Sequence, residues 1–400
     1  MIIKEYIETK VIKSCDVLVC GGGIAGISAA ISATRQGKKV VLLEKEYILG
    51  GLGTAGLITI YLPLCDGKGR QVSFGIAEEL FRLSVSMGAE DEYPDNWLDS
   101  EDPLKRTETT QRFRVQYNPH LFAMLTEKLL LKEGVEILYG TYAVGVAKTE
   151  DAISAVMIEN KSGRAAILVK SVVDATGDCD IAKFAEVPTV VNEKGNALAA
   201  WYYSIGKESY QLNMVGVRDV PEEENLKKKK EQLLSSARFI GIDGEELSQM
   251  MQLSHSSILN HISRHREDDE KLVPVTLPII PQIRMTRRLV GEYELDEGQM
   301  HIFFKDSIGM VSDWRKRGPV YEVSFSTLYS KKVRNLITAG RCISVTDEMW
   351  DIMRVIPCCA VTGQAAGAAA AICEDFSNID IEKLQEILRN DGVVLHESDL

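Results

Sequence analysis

A glycine-rich turn between two short apolar runs is the strongest constraint on how this chain folds. Residues 17–20 (VLVC) end at the turn, an amphipathic stretch with helical spacing runs from residue 24 to about residue 35, and residues 40–43 (VVLL) are again apolar. This order predicts a strand, a glycine turn, a helix and a second strand, which together make a βαβ unit. Because a βαβ unit joins parallel neighbours, the sequence predicts an α/β fold built on a parallel sheet.

The turn contains the pattern GxGxxG at Gly21, Gly23 and Gly26. In this pattern the first glycine makes the tight turn, the second lets the backbone approach a pyrophosphate, and the third lets helix and strand pack closely. Glu44 follows the second apolar run, 18 residues beyond Gly26, and a carboxylate there can accept both hydroxyls of an adenosine ribose. The phosphates would lie at the positive N-terminal end of the helix. The predicted dinucleotide contacts are Gly21, Gly23, Ile24, Ala25, Gly26, Glu44 and Lys45.

Further glycine-containing segments favour FAD over NAD as the dinucleotide. Residues 50–56 (GGLGTAG) place a second glycine pair six residues after the acid. Residues 172–178 (VVDATGD) and 336–344 (LITAGRCIS) follow, and residues 354–357 (RVIP) precede 363–367 (GQAAG). In these segments the chain resembles the FAD-dependent oxidoreductases of the glutathione-reductase-type flavoprotein superfamily. Its last two blocks resemble a poorly characterised single-chain subgroup of FAD oxidoreductases.

This resemblance implies FAD as the cofactor and assigns roles to residues along the chain. The 50–54 segment would run beneath the ribityl chain or the flavin, and Ala143 would hydrogen-bond adenine through its backbone. The 176–178 segment would close on the FAD, and the 340–363 segment would approach the ribityl phosphate and the ring. The further FAD contacts that it implies are Gly50, Gly51, Thr54, Ala143, Thr176, Gly177, Asp178, Gly340, Arg341 and Gly363.

Residues 361–372 predict a C-terminal helix made almost only of small side chains. Reduced flavin carries negative charge near N1 and the C2 carbonyl, and a helix that starts near residues 359–363 could direct its N-terminal amides there. Such amides would favour the reduced anion. The simpler interpretation is an ordinary packing helix, and the two interpretations are compatible.

Two arginines are the candidates for substrate chemistry. Arg284 (in IRMTRR) and Arg354 (in MRVIP) match arginines that are common in the resembling subgroup. An arginine can clamp a substrate carboxylate or stabilise an oxyanion that forms on hydride transfer, and a structural salt bridge is the alternative. The subgroup places histidine between the GRCIS segment and the second arginine, whereas this chain has none there. Asp347 or Asp351 would have to serve as the base.

The cysteines and histidines predict no further redox or metal centre. The second glycine segment also contains GxGxxG, at residues 51–56, but no GxGxxG occurs after it, so the disulfide reductases, which carry an additional NAD(P)H domain, are disfavoured. The vicinal pair Cys358-Cys359 would form a strained disulfide, which makes a redox role the weaker interpretation. His255, His261 and His265 favour a solvated helix face over a zinc site, because no third ligand follows at fixed spacing.

Composition limits the partners and the compartment. The chain has 400 residues, with 46 basic and 58 acidic side chains and a net charge of −12. This acidic balance argues against binding to nucleic acid or to an anionic membrane surface. No apolar run reaches the roughly 18 to 20 residues of a membrane span. Eight cysteines without CxxC spacing fit a reducing compartment, so we expect a cytoplasmic protein.

Glycine signals at both ends of the chain predict a discontinuous domain. We expect a Rossmann-like FAD-binding domain from residues 1–187 and 321–400, with a small antiparallel sheet and a cap loop at about 57–118. Residues 188–320 would form an inserted α+β substrate or cap domain. The expected reaction is hydride transfer between a small organic substrate, which the arginines favour as an anion, and the flavin, with the acceptor open. The alternatives are a lyase or isomerase that uses FAD transiently, a non-catalytic flavin-binding component, and an NAD enzyme without flavin.

Overall fold

The computed structural model describes residues 3, 6–68, 70–88, 114–207, 210–216 and 233–400. Residues 89–113 of the predicted cap loop therefore lie outside the described residues. The strands are β1 (Val11–Cys20), β2 (Val40–Leu43), β3 (Ile60–Tyr61), β4 (Val115–Gln116), β5 (Glu136–Leu138), β6 (Tyr142–Thr149), β7 (Ala152–Asn160), β8 (Gly163–Asp174), β9 (Thr189–Val191), β10 (Ala199–Ile205), β11 (Tyr210–Gly216), β12 (Val273–Thr276), β13 (Arg287–Leu289), β14 (Ser307–Ser312), β15 (Val320–Ser324) and β16 (Leu336–Thr338). The α-helices are α1 (Ile24–Arg35), α2 (Ile76–Val85), α3 (Pro119–Glu133), α4 (Asp180–Phe184), α5 (Gly244–His265), α6 (Asp347–Met353), α7 (Ile356–Ile372) and α8 (Ile381–Asn390).

The main sheet contains seven strands, in the order β5-β2-β1-β8-β7-β6 with β16 beside the end of β8. Strand β1 pairs in parallel with both β2 and β8, whereas β7 runs antiparallel to its neighbours β6 and β8. Cys20, the last residue of β1, lies opposite Leu43 on one side and Asp174 on the other. The carboxyl ends of three parallel strands therefore meet at one edge, where α/β folds bind ligands. The predicted α/β fold, with a parallel sheet and added antiparallel pairing, is confirmed.

Helices α1 and α7 pack directly against each other over one face of the sheet. A Cβ at Gly363 would overlap the carbonyl oxygen of Ala25, and a Cβ at Gly367 would overlap that of Ala29. The two backbones thus touch at positions four residues apart on each helix. Only glycine allows this approach. The small residues of α7 therefore place its start beside the glycine turn.

Smaller antiparallel sheets lie outside the main sheet. Strand β10 pairs with β11 and β12, and two-stranded pairs form between β9 and β13, β14 and β15, and β3 and β4. Helix α5 packs beside β10, and small apolar clusters surround Phe239 and Tyr202. Ile308 and Val311 of β14 belong instead to the main core. The inserted domain at residues 188–320 stays a prediction.

Helices α6 and α7 meet at a bend of 90°. Within the described ranges no single helix has both the length and the apolar composition to cross a membrane, although this bent pair passes that test by length and composition alone. Residues 357–371 of α7 are all buried in the protein.

Candidate functional site

The glycine turn shows three different reasons for its three motif glycines. Gly21 has a φ of 105°, and a Cβ there would overlap the carbonyl oxygen of Ala175. A Cβ at Gly26 would overlap the Gly21 carbonyl oxygen, so α1 crosses the end of β1 in backbone contact. A Cβ at Gly23 would meet nothing within 4 Å. Gly21 and Gly26 therefore shape the turn, whereas Gly23 faces open space at the N-terminus of α1.

Glu44 ties the end of β2 to the turn. Its Oε2 accepts a hydrogen bond from the amide of Gly22 at 2.8 Å, and its Oε1 accepts one from the amide of Glu46 at 2.8 Å. Burial raises the pKa of this carboxyl, and the two amide bonds partly oppose the shift. The carboxyl group is thus held in place at the edge where the parallel strands end.

A cavity of about 220 Å³ lies at this edge, and we call it the glycine-turn cavity. It brings together segments that are up to 339 residues apart in sequence, from Cys20 to Cys359. The predicted cofactor residues on its wall are Gly21, Gly23, Ile24, Ala25, Glu44, Lys45, Gly50, Gly51, Ala143, Thr176, Gly177, Asp178, Gly340 and Arg341.

Three predicted cofactor residues lie behind the wall of this cavity. Gly26 packs on the strand and Gly363 packs on α1, as described above. The Thr54 hydroxyl donates a hydrogen bond to the carbonyl of Leu49, and the Thr54 side chain is buried. These residues fix the backbone that forms the cavity, and the structure does not place them on its surface.

Asp180 is a cavity residue that the sequence analysis did not single out. It begins the short helix α4 and forms an ion pair with Arg287 at 3.1 Å. Burial raises the pKa of Asp180 to about 7, with the neighbouring carboxylates of Asp178 and Asp174 adding to the shift. The signal available in the sequence was the spacing of acids in DATGDCD, directly after a predicted strand.

A second cavity, of about 390 Å³, adjoins the first, and we call it the arginine chamber. Both cavities share the wall formed by Leu52, Gly53, Arg341, Arg354 and Ile356. Among the described residues that line the chamber there is no acidic side chain. The polar and aromatic residues on its wall are Arg114, Arg284, Arg341, Arg354, Trp201 and Trp314.

Arg354 reaches both cavities and is held by a buried carboxylate. Its Nε donates to Oδ1 of Asp351 at 2.8 Å, and a terminal nitrogen contacts the same oxygen. The guanidinium lies 5.8 Å from the ring centroid of Trp314. The other oxygen of Asp351 lies 3.5 Å from Arg315. Asp351 thus positions Arg354.

Neither aspartate predicted as a base lines either cavity. Asp351 is buried in its pairs with the two arginines. Asp347 pairs with Arg288 and Lys194, each at 3.3 Å. The expectation that one of them faces the substrate is therefore corrected: both carboxylates are paired with cationic side chains of the protein, and neither lines a cavity.

Arg284 also lines the chamber; it is buried and lies 5.3 Å from the ring centroid of Trp201. Gln282 fixes this tryptophan, because its side chain accepts from the Trp201 amide at 2.7 Å and donates to the Trp201 carbonyl at 3.0 Å. Arg341 donates to the carbonyls of Ile283 and Arg284 at 3.2 and 2.8 Å. Backbone carbonyls thus set the position of the Arg341 guanidinium.

Helix α7 begins at the wall shared by the two cavities. Its first residue, Ile356, lines both of them, and its first backbone bond runs from the Cys359 amide to the Val355 carbonyl at 2.9 Å. The start lies three residues before the predicted range of 359–363, because Pro357 suits the first turn of a helix. The positive end of the α7 dipole therefore faces the site.

A model of the protein family described as FAD dependent oxidoreductase matches residues 16–241 and 246–388, which is most of the chain. The chain belongs to the FAD-dependent oxidoreductase family. This match confirms the predicted membership of an FAD-dependent oxidoreductase family and the predicted cofactor, FAD.

Individual relatives of this family member match over short segments. A fumarate reductase (cytochrome) of Shewanella frigidimarina is 64% identical over 36 residues, which are 9% of this chain and 6% of that protein. The NADH:acrylate oxidoreductase of Vibrio harveyi is 36% identical over 95 residues, which are 23% of this chain and 9% of that protein. The chain thus covers less than a tenth of either relative's length.

One solved structure, of a geranylgeranyl bacteriochlorophyll reductase-like protein from Thermoplasma acidophilum, aligns with a TM-score of 0.49 and 15% identity. That alignment covers 94% of this chain and 84% of that chain.

The residues of the glycine-turn cavity fit the FAD of this family. The open space in front of Gly23, which a Cβ would enter, is where a pyrophosphate can approach the α1 amides. The fixed carboxyl of Glu44 suits ribose hydroxyls. Ile356, where helix α7 begins, lines both the glycine-turn cavity and the arginine chamber. The adenosine half would therefore lie near Glu44 and the flavin near Ile356.

The cysteine and histidine candidates of this FAD-dependent oxidoreductase differ in their surroundings. Cys358 and Cys359 are buried free thiols, and burial raises the pKa of Cys359 to about 12. The rings of His261 and His265 stack with centroids 4.0 Å apart, and Nδ1 of His261 lies 3.0 Å from the hydroxyl of Tyr202. In the part of the chain that the structure describes, no group of three or more His, Cys, Asp or Glu residues could hold a metal ion.

Proposed function

We propose that this protein is an FAD-dependent oxidoreductase that transfers hydride between a small organic substrate and the flavin. FAD would occupy the glycine-turn cavity and the substrate would occupy the arginine chamber. The observation that carries this proposal is that the same residues line both cavities. The cavities therefore adjoin, and a substrate in one would lie next to a flavin in the other.

FAD, when bound, would supply a hydride acceptor at N5 of its ring. The amides at the start of α1 would bind the pyrophosphate, with Gly23 leaving the space for it. Glu44 would accept the ribose hydroxyls, and the Ala143 backbone would contact adenine. The start of α7 at Ile356 would present positive dipole charge to the electron-rich end of the flavin.

The chain's own side chains would orient the substrate and exclude water. Arg354 would point at the reacting part of the substrate, because it lies where the two cavities meet. Asp351 keeps its guanidinium in one orientation. Arg284, which also lines the chamber, would bind an anionic group of the substrate. The apolar residues around them would keep water from the reacting atoms.

The finer assignments are proposals of the same kind. We assign the fold to the glutathione-reductase type, and support comes from the βαβ unit at the glycine turn and the antiparallel β6–β7–β8 arm. We assign residues 188–320 to an inserted substrate domain, supported by the separate apolar clusters around Phe239 and Tyr202. At the C-terminal limit of this proposed domain, strand β14 pairs with β15, which begins at residue 320. Eight cysteines present as free thiols support a reducing, cytoplasmic location.

The flavin spectrum of the purified protein tests the function. We expect released FAD on denaturation, and lasting loss of flavin absorbance when the holoprotein is mixed anaerobically with a substrate from a screen of small carboxylates, alcohols and sugars. Absorbance that recovers without an acceptor would support a lyase or isomerase instead. Flavin that no substrate alters would support a non-catalytic component. A colourless preparation that binds NAD and not FAD would contradict the proposal.

A further inference from the structure

The connection between β14 and β15 places three consecutive residues beside the arginine chamber. Trp314 lines the chamber, the Arg354 guanidinium lies 5.8 Å from its ring centroid, and its indole Nε1 donates to the backbone carbonyl of Asp351 at 2.9 Å. The neighbouring side chains of Asp313 and Arg315 are only 2% and 8% exposed, and they line neither cavity. The connection therefore supplies one residue to the chamber wall and two residues behind it.

Arg315 joins two buried carboxylates. Its Nε and one terminal nitrogen donate to the two oxygens of Asp313 at 3.0 and 3.1 Å, and its backbone amide donates to the same carboxylate at 2.8 Å. Its other terminal nitrogen lies 3.5 Å from Oδ2 of Asp351. Asp313 thus fixes the guanidinium, whose planar fork has a further N–H group to offer to Asp351.

The two oxygens of Asp351 face different arginines. Oδ1 accepts from Nε of Arg354 at 2.8 Å, whereas Oδ2 lies 3.5 Å from Arg315. Oδ2 is buried and makes no hydrogen bond to any described residue, so Arg315 is the cation that matches its charge. Without that cation a buried oxygen would lack a partner, and the carboxylate would gain by turning both oxygens toward Arg354.

We infer that Arg315 is a positioning residue, which holds Asp351 in the orientation that keeps Arg354 where the two cavities meet. When Asp351 turns both oxygens to Arg354, it draws that guanidinium back from the cavities. Such a movement has a large effect on catalysis, because a displacement of about 1 Å can lower a rate by about 100-fold. The inference rests on the proposed function, in which Arg354 points at the reacting part of the substrate.

Kinetics of the FAD-loaded protein test this inference with the substrate found by flavin reduction. Arg315→Gln removes the cation at Oδ2 of Asp351, and we expect kcat/KM to fall by about tenfold, mostly in kcat. Arg315→Lys keeps a positive charge between the two carboxylates, so it should fold even where Arg315→Gln does not. A single ammonium lacks the fork that spans both carboxylates, and we expect a loss of about threefold.

A double-mutant cycle separates an effect through Asp351 from a general one. Asp351→Asn weakens the contact through which Arg315 would act, so Arg315→Gln should change kcat by less than about twofold in that background. A loss that stays tenfold in the Asp351→Asn protein would overturn the inference. A lower melting temperature with unchanged kcat would overturn it as well, because Arg315 would then be purely structural.

Arg288→Gln is the matched control. The side chain of Arg288 is 7% exposed, pairs with Asp347 of the same helix α6, and lines neither cavity. Its loss also removes a buried cation from an aspartate of α6, but that aspartate does not hold Arg354. We expect Arg288→Gln to leave kcat/KM close to the wild-type value.

Crystal structures of the holoproteins test the geometry without turnover. We expect the Arg354 guanidinium to lie about 1 Å farther from the cavities in Arg315→Gln, to move in the same direction in Arg315→Lys, and to stay in place in Arg288→Gln. An Arg354 that stays in place in the Arg315 variants overturns the inference and leaves the proposed function standing. Flavin that no substrate reduces contradicts the proposed function, and the position of Arg354 in the variants still decides the inference.

Discussion

The glycine-turn cavity and the arginine chamber share a wall, yet different parts of the chain build them. Backbone atoms, helix starts and glycines form much of the first cavity, at the edge of the parallel sheet. Side chains form the second, with arginines over tryptophans and the aliphatic side chains of Ile58, Ile60 and Leu62. A single added Cβ should therefore disturb the first region, whereas the second should respond to changes of charge and hydrogen-bonding shape.

The largest effect is expected at Gly26, where the turn leaves no space for a Cβ atom. Gly26→Ala would put a Cβ onto the Gly21 carbonyl oxygen, and both backbones are fixed by the sheet and by α1. We expect a loss of about 3 kcal/mol or more in the free energy of unfolding, measured by urea denaturation of the apoprotein. Gly244→Ala, at an open helix start, is the control and should stay near the wild-type value. A Gly26→Ala protein with the stability of wild type would show that the backbone of the turn can shift to accept the added Cβ.

In the arginine chamber, the shape of the cation should matter more than its charge. Arg354→Lys keeps a positive charge beside Asp351 but loses the planar fork of donors. We expect kcat/KM for the substrate found by flavin reduction to fall by about 30-fold, mostly in kcat. Arg288→Lys, outside both cavities, should leave kcat/KM close to wild type. A lower melting temperature with unchanged kcat/KM would assign Arg354 a purely structural role.

Gly23 provides the converse test within the same motif as Gly26. Its φ of −72° suits any residue, and a Cβ there meets no protein atom within 4 Å. Gly23→Ala should therefore leave the apoprotein within about 0.5 kcal/mol of wild-type stability. The same Cβ would enter the space for the pyrophosphate, so FAD affinity should fall by about tenfold, measured by flavin fluorescence titration. Unchanged affinity would place the pyrophosphate elsewhere.

The smallest effect concerns pH. Burial raises the pKa of Asp180 in the folded protein from 3.8 to about 7, so the folded state holds this proton more tightly than the unfolded state. Stability should therefore fall as the pH rises between those two values, and then level off. The slope should be shallow, because the side chain is 39% exposed and pairs with Arg287.

Asp180→Asn removes that titration. The variant should match wild type at about pH 4 and be the more stable protein at about pH 8, measured as urea midpoints of the apoproteins. Wild type that is the more stable at about pH 8 would show that the ion pair with Arg287 outweighs burial.

The same contrast explains how far the sequence could predict the site. The glycine turn could be located because a backbone that must approach a phosphate or another backbone needs glycine at fixed spacing. The same spacing could not show which glycines face the ligand: Gly26 and Gly363 pack against backbone, while Gly23 faces the cavity. That distinction depends on which element lies opposite each glycine.

The residues that line the arginine chamber form no pattern by which the sequence could predict the chamber. Residues 58, 60 and 62 are apolar, but so are neighbours that face the core, and no spacing links them to Trp201 or Trp314. The arginines Arg284 and Arg354 were predicted from resemblance, and the structure brings both to one chamber. The aspartates predicted as bases were misplaced, because a charged residue near an arginine in sequence often neutralises it instead of facing a ligand.

The crossing of α1 and α7 also bears on how the protein is made. A ribosome produces Ala25 and Ala29 long before Gly363 and Gly367, which cover them in the finished protein. Until the residues of α7 have been made, the helix that follows the glycine turn remains without the helix that packs on it. A nascent chain therefore completes its nucleotide site only after residues 356–372 have been made, and products truncated before them should be poor flavin binders and good targets for chaperones.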